Sequence, residues 1–247
     1  MIKRLTMSVC LVVALGISTS MLPAWGTRPI KPVAQHAHGY VTSAVVDLNG
    51  DGKAERISVS DLTDRGDFLL QVGKASVRGR LGYLVGGFRI VDIDAADKYR
   101  EIAVHTPGPS DDFEWLVYWY DGKAIRQVAH LARFPRFAGA GIVYVRDHMG
   151  WWWKTERYVL DAKTHTLRMT SQEMYHVGVR ARVNTGFPLY VSRNTKSVIA
   201  NLRANSAALI LLWDPKSKWY VVKSESDIVG WAQEGALSHN MTLPGAD

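Results

Sequence analysis

The sequence predicts an all-β protein: a blade-like antiparallel sheet module, a partial propeller or a sandwich, followed by a small closed barrel. Three observations predict it. Short β-branched or aromatic runs recur between clusters of Gly, Asp and Asn. No long stretch carries apolar residues at helical spacing. An acidic loop that runs straight into a strand occurs twice, 45 residues apart.

The first 26 residues read as an export signal. Lys3 and Arg4 give a positive start, Leu5 to Leu22 is largely apolar, and Ala24-Trp25-Gly26 places small residues where a cleavage site needs them. An uncleaved anchor is the alternative reading, and either one makes the chain secreted or bound to the cell envelope. Residues 27–38 hold Pro29 and Pro32 without periodicity and read as a linker. The module of residues 39–177 opens with strand-like runs at 41–46, 56–59, 68–72, 88–91 and 101–104. Glu114 to Tyr120, then Asp121-Gly122, then Ala124 to Val128 reads as a hairpin, because Asp-Gly tolerates the positive φ angles of a tight turn. Residues 151–160 and 167–175 read as a second hairpin. Short helices are expected at Lys53–Arg56 and Ala200–Ala204, a domain boundary near Gly178, five short strands of a barrel over 178–236, and a loose tail over 237–247.

Composition narrows the function. The chain of 247 residues carries +7, and loss of Lys3 and Arg4 with the signal leaves +5. The basic residues are scattered, which argues against nucleic acid as a partner and leaves room for attraction to an anionic envelope. The single cysteine, Cys10, lies inside the signal, so the mature chain has no disulfide, catalytic thiol or Cys-based zinc site. After the signal, the most apolar run, Leu209 to Leu212, is too short to span a bilayer. A monomer is expected.

The first acidic loop sets Asp47, Asn49, Asp51 and Glu55 at positions 1, 3, 5 and 9, with Gly52 between them for the sharp turn. Spaced oxygens on one tight loop suit a hard cation such as calcium, with the carbonyl of Lys53 as a further ligand. Position 12 is Ser58 instead of Glu, and the flanks are strand-like, so a helical calcium hand is not expected. A solvated turn is the alternative. The second loop, Asp92, Asp94, Asp97 and Glu101, aligns with the first without a gap but has Ala96 at position 5, a degraded ligand set.

Asp47, Asn49, Asp51, Gly52 and Glu55, with Asp92, Asp94 and Glu101, carry a resemblance to FG-GAP or VCBS repeats, the calcium-loop repeats of integrin-α-like propellers. It covers roughly residues 39–131 and implies a structural calcium ion and an exported protein. Pro188-Leu-Tyr190, Trp219-Tyr-Val-Val222 and Gly230-Trp231 make residues 180–236 similar to a bacterial SH3-like barrel. That resemblance implies attachment to cell-wall polymer or peptide, with Trp213, Tyr220 and Trp231 as groove candidates against simple packing.

These readings converge on an exported, non-catalytic binding protein whose partner is a cell-wall polymer or an extracellular protein. The competing reading is a secreted envelope hydrolase in which Asp92 and Asp94, on one face of a strand, serve as acid and base. Trp151-Trp152-Trp153 adds a third feature, since alternation sends Trp151 and Trp153 to one face and Trp152 to the other.

Overall fold

A computed structural model describes residues 40–109 and 112–245. The export signal and the linker expected over 1–38 lie outside the described residues. Three four-stranded antiparallel sheets follow one another along the chain, each a simple meander. The first contains β1 (Ser43–Val46), β2 (Glu55–Asp61), β3 (Asp67–Val72) and β4 (Ala75–Arg80). The second contains β5 (Gly87–Val91), β6 (Glu101–Thr106), β7 (Glu114–Tyr120) and β8 (Ile125–Ala132). The third contains β9 (Phe134–Phe137), β10 (Ile142–His148), β11 (Trp153–Asp161) and β12 (Thr166–Thr170). Four-stranded meanders stacked in series are the construction of propeller blades.

Period-two alternation decides the stacking, because each strand sends side chains to both faces of its sheet. Ala44, Val46, Ile57, Phe68 and Leu70 of the first sheet meet Phe88, Ile102, Val104 and Tyr118 of the second in one buried cluster. The opposite face of the second sheet supplies Val91, Ala103, Trp115 and Val117 to another cluster, shared with Val143 and Val145 of the third. The second sheet is thus covered on both faces, and β6 is buried along its whole length. The first sheet has one free face, carrying Val45, Arg56, Gln71 and Arg78.

The remaining strands form one seven-stranded sheet. They are β13 (Tyr175–Val183), β14 (Phe187–Tyr190), β15 (Val198–Leu202), β16 (Ala207–Asp214), β17 (Trp219–Ser224), β18 (Val229–Gln233) and β19 (Met241–Thr242). Their order is β15-β14-β18-β17-β16-β13-β19. The outermost strands do not pair with each other, so the closed barrel expected here is an open sheet. Phe187 and Leu202 still share one cluster with Val183 and Met241 from the far edge, which requires the sheet to bend over its own core.

Several local expectations are corrected. Glu55 and Arg56 begin β2, and Ala200 to Leu202 lie in β15, so neither proposed helix forms. The described helix is α1 (Glu234–Asn240). Leu237 and Met241 are buried in the C-terminal cluster, and β19 pairs with β13, so residues 237–242 are packed where a loose tail was expected. Gly178 lies inside β13 and does not mark a boundary. With φ at 69° it sits at an irregularity between His176 and Val179, because glycine in a strand accommodates a bulge as readily as it ends an element. No described helix is long and apolar enough to cross a membrane.

Candidate functional site

The first acidic loop joins β1 to β2 and is held by its own side chains. Asp47 accepts the N–H groups of Gly50 (2.8 Å) and Gly52 (2.9 Å), Asn49 Oδ1 accepts that of Asp51, and Asp51 Oδ1 accepts that of Lys53. Gly50 and Gly52 have positive φ, and a Cβ at Gly50 would meet Lys98 at 2.8 Å, so glycine is required there. Asp47, Asp51 and Glu55 bring carboxylate oxygens within 4.8 Å of one another. Oxygens so spaced suit a cation with ligands at roughly 2.4 Å. Asn49 is turned inward, its Nδ2 on Asp51 Oδ2 at 3.3 Å, and Lys53 offers only its backbone.

The second loop is built differently. Val46 pairs with Glu55, whereas Val91 pairs with Glu101, so this loop is one residue longer and the gapless alignment fails at its end. The equivalence lies in hydrogen bonding. Glu55 Oε2 accepts the N–H of Leu48 (2.9 Å), and Glu101 Oε2 accepts that of Ile93 (3.1 Å). The carbonyls of the same two residues accept N–H groups from the following loop, Arg100 on Leu48 and Gly141 on Ile93. In the third sheet that loop is Ala138 to Gly141 and carries no acid.

Among the described residues, Asp92, Asp94, Asp97 and Glu101 do not gather into a metal-sized cluster. Asp94 Oδ1 binds the N–H of Ala96, Asp97 Oδ1 binds that of Tyr99, and Glu101 turns inward. Its Oε1 lies 2.9 Å from His165 Nε2, with the two residues 1% and 6% exposed. The imidazole stacks on Trp119 (4.2 Å between centroids) and meets Tyr99 edge-on. Burial raises the Asp92 carboxyl above its usual range, and the Glu101 charge adds to this. Asp92 and Asp94 lie in the loop beyond β5 and not on one strand face, so the acid–base pairing expected of them loses its geometric basis.

The three groove candidates are separated. Trp213 and Tyr220 oppose each other in the β16–β17 register and are buried with Trp152 and Tyr175. Trp231 opposes Val221, one residue out of phase, and so faces the other side of the sheet. There Arg193, ion-paired to buried Asp214, stacks over its ring at 5.0 Å.

A cleft lined by none of the metal, groove or acid–base candidates opens between the outer face of the third sheet and β13. Its volume is about 460 Å³, within the usual range for ligand sites. Tyr144 and Arg146 come from β10, Trp153, Thr155 and Arg157 from β11, and His176, Val177 and Val179 from β13. Trp151, Gln172 and Tyr175 complete the walls, and Trp152 closes the base, buried in the C-terminal cluster. The expected alternation of the three indoles does not hold: Trp151 and Trp152 precede β11, all three line the cleft, and Trp151 packs against the same C-terminal cluster as Trp152. Arg146 lies over Trp153 (4.8 Å), and Arg136 over Tyr144 (4.7 Å), at the edge of the same face. Among the described residues neither Arg146 nor Arg157 has a carboxylate within 4.0 Å, and no carboxylate lines the cleft. A Cβ at Gly178 would strike His176 at 2.5 Å, so the glycine bulge leaves that ring its place on the rim.

The only advance signal of this cleft was the triple tryptophan. Its arginines alternate with hydrophobic residues along ordinary strands, and its β13 wall arrives only with the chain's return. No family model, curated protein or solved structure matches the chain.

Proposed function

We propose that this chain is an exported, non-catalytic binding protein of the cell envelope or extracellular space, holding a cell-wall polymer in the cleft between the third sheet and β13. The observation that carries the reading is the cleft lining: two arginines free of carboxylates, ring edges from Tyr144, Trp151 and Trp153, and the Thr155 hydroxyl, beside a Gln172 amide already held on the Thr155 carbonyl. Such a surface offers donors and apolar walls, which is what holding a polar ligand requires. Export rests on the layout of residues 1–26. The stacked meanders and the Asp47 loop support the kinship with calcium-loop repeats and a structural calcium ion. Aromatic packing around Trp213 makes the C-terminal sheet a scaffold that supplies β13 to the cleft.

The test is retention of the intact chain on purified cell wall, compared with Thr155→Trp. That residue is exposed inside the cleft, so the indole fills the cleft without disturbing the core. Retention is expected to fall at least tenfold. Equal retention of both proteins would remove the cleft from the function, and turnover of wall fragments that is lost in Asp92→Asn would make the chain a hydrolase.

A further inference from the structure

We infer that the cleft takes an acidic saccharide, its carboxylate held between Arg146 and Arg157 and its sugar body laid against the indoles. This rests on the binding reading above and adds the charge and class of the ligand. Arg146 and Arg157 project from neighbouring strands on one sheet face: Arg146 pairs in register with Thr155 and Arg157 with Tyr144, which makes the two arginines diagonal neighbours. Residues so related sit roughly 7–8 Å apart at the backbone; Arg146 leans over Trp153 and Arg157 toward Thr170, so closing on one oxyanion requires both long side chains to swing inward. Trp153 supports the Arg146 guanidinium from below, and Thr170 Oγ1 lies 3.5 Å from Arg157 Nη1. A guanidinium seated on a ring keeps its N–H donors free and loses little entropy when it binds a planar carboxylate.

The remaining walls select the body that carries the charge. Trp151 and Trp153 are half-buried, giving ring surface beside polar tips, and the Thr155 hydroxyl meets hydroxyl groups, with Gln172 held beside it by its amide on the Thr155 carbonyl. The faces of Trp153 and Tyr144 are taken by Arg146 and Arg136, so the sugar body meets Trp151 and the exposed ring edges.

The experiment titrates the full chain, read by tryptophan fluorescence and calorimetry, with a galacturonate trimer, its methyl ester, a ten-residue oligothymidylate and inorganic polyphosphate. The trimer is expected to bind more tightly than its ester by roughly tenfold or more, with an affinity that falls as salt rises. Arg146→Gln and Arg157→Gln, each with an unchanged Tm, are expected to weaken the trimer roughly tenfold and to leave the ester unchanged. If trimer and ester bind equally and Thr155→Trp abolishes both, the acidic class is wrong while the cleft remains the binding site. If saccharide binding survives Thr155→Trp, both readings fall. Preference for oligothymidylate or polyphosphate over the trimer overturns the saccharide assignment, and so does failure of the trimer to bind.

Discussion

The two acidic loops begin alike and end as opposites. Both latch a fully buried hydrophobic residue, Leu48 or Ile93, through its N–H to a glutamate at the start of the next strand. In the first loop the glutamate's partners are Asp47 and Asp51, and the group faces outward. In the second the glutamate's other oxygen is taken by His165, brought from the turn between β11 and β12. A carboxylate can collect a cation beside other carboxylates, or join two sheets by binding a buried donor. One extra residue in the loop, with alanine in place of aspartate at position 5, accompanies the change from the first use to the second.

The largest effect that would sharpen this contrast comes from Glu101→Ala. It strands a buried imidazole and an amide together, and is expected to cost about 2–5 kcal/mol in urea denaturation at neutral pH. The corresponding Glu55→Ala, in an accessible loop, is expected to cost about 1–2 kcal/mol. Equal costs would break the distinction.

A second buried imidazole, in the second sheet, gives a pH-dependent effect. His105 is buried beside Tyr40 and Trp115, and burial, reinforced by the Arg89 charge, pulls its pKa down to about 4. The ordinary value is 6.5, so between these limits the unfolded chain binds more protons than the folded one. The His105 contribution is therefore fully present above about pH 6.5 and is lost as the pH falls toward 4. His105→Phe is expected to shrink the stability difference between pH 7 and pH 4.5 by roughly 1–3 kcal/mol, measured by denaturation at both values. An unchanged difference would show that the ring does not remain neutral inside.

The smallest effect belongs to the first loop. Calcium at about 10 mM, with a dissociation constant on the order of 1 mM, is expected to stabilise the chain by about 1 kcal/mol. The shift in melting temperature should vanish in Glu55→Gln and persist in Glu101→Gln. No shift at all would leave the Asp47 loop as a turn held by its own hydrogen bonds.

The strands of the first two sheets were legible because alternation and turn residues coincide there, as in Glu114 to Tyr120 followed by Asp121-Gly122. The acidic cluster of the first loop was legible because Asp47, Asp51 and Glu55 lie close together along the chain. β9 was not, since four residues containing Pro135 make a weak signal, and α1 was not, since its seven residues lack a side-chain N-cap. The role of Glu101 was hidden because its partner lies 64 residues away. The cleft was hidden for a related reason: its arginines come from β10 and β11, and the facing wall only from β13.

Trp152 stands in the turn between β10 and β11, yet its ring is lodged among Tyr175, Trp213 and Tyr220 of the C-terminal sheet. One part of the chain thus supplies a plug and another the socket. Cutting the chain after the third sheet would unplug that indole into water and leave a hole in what was removed. Neither fragment would be a fair substitute for the whole, and grafting either onto another protein should carry the plug along with its socket.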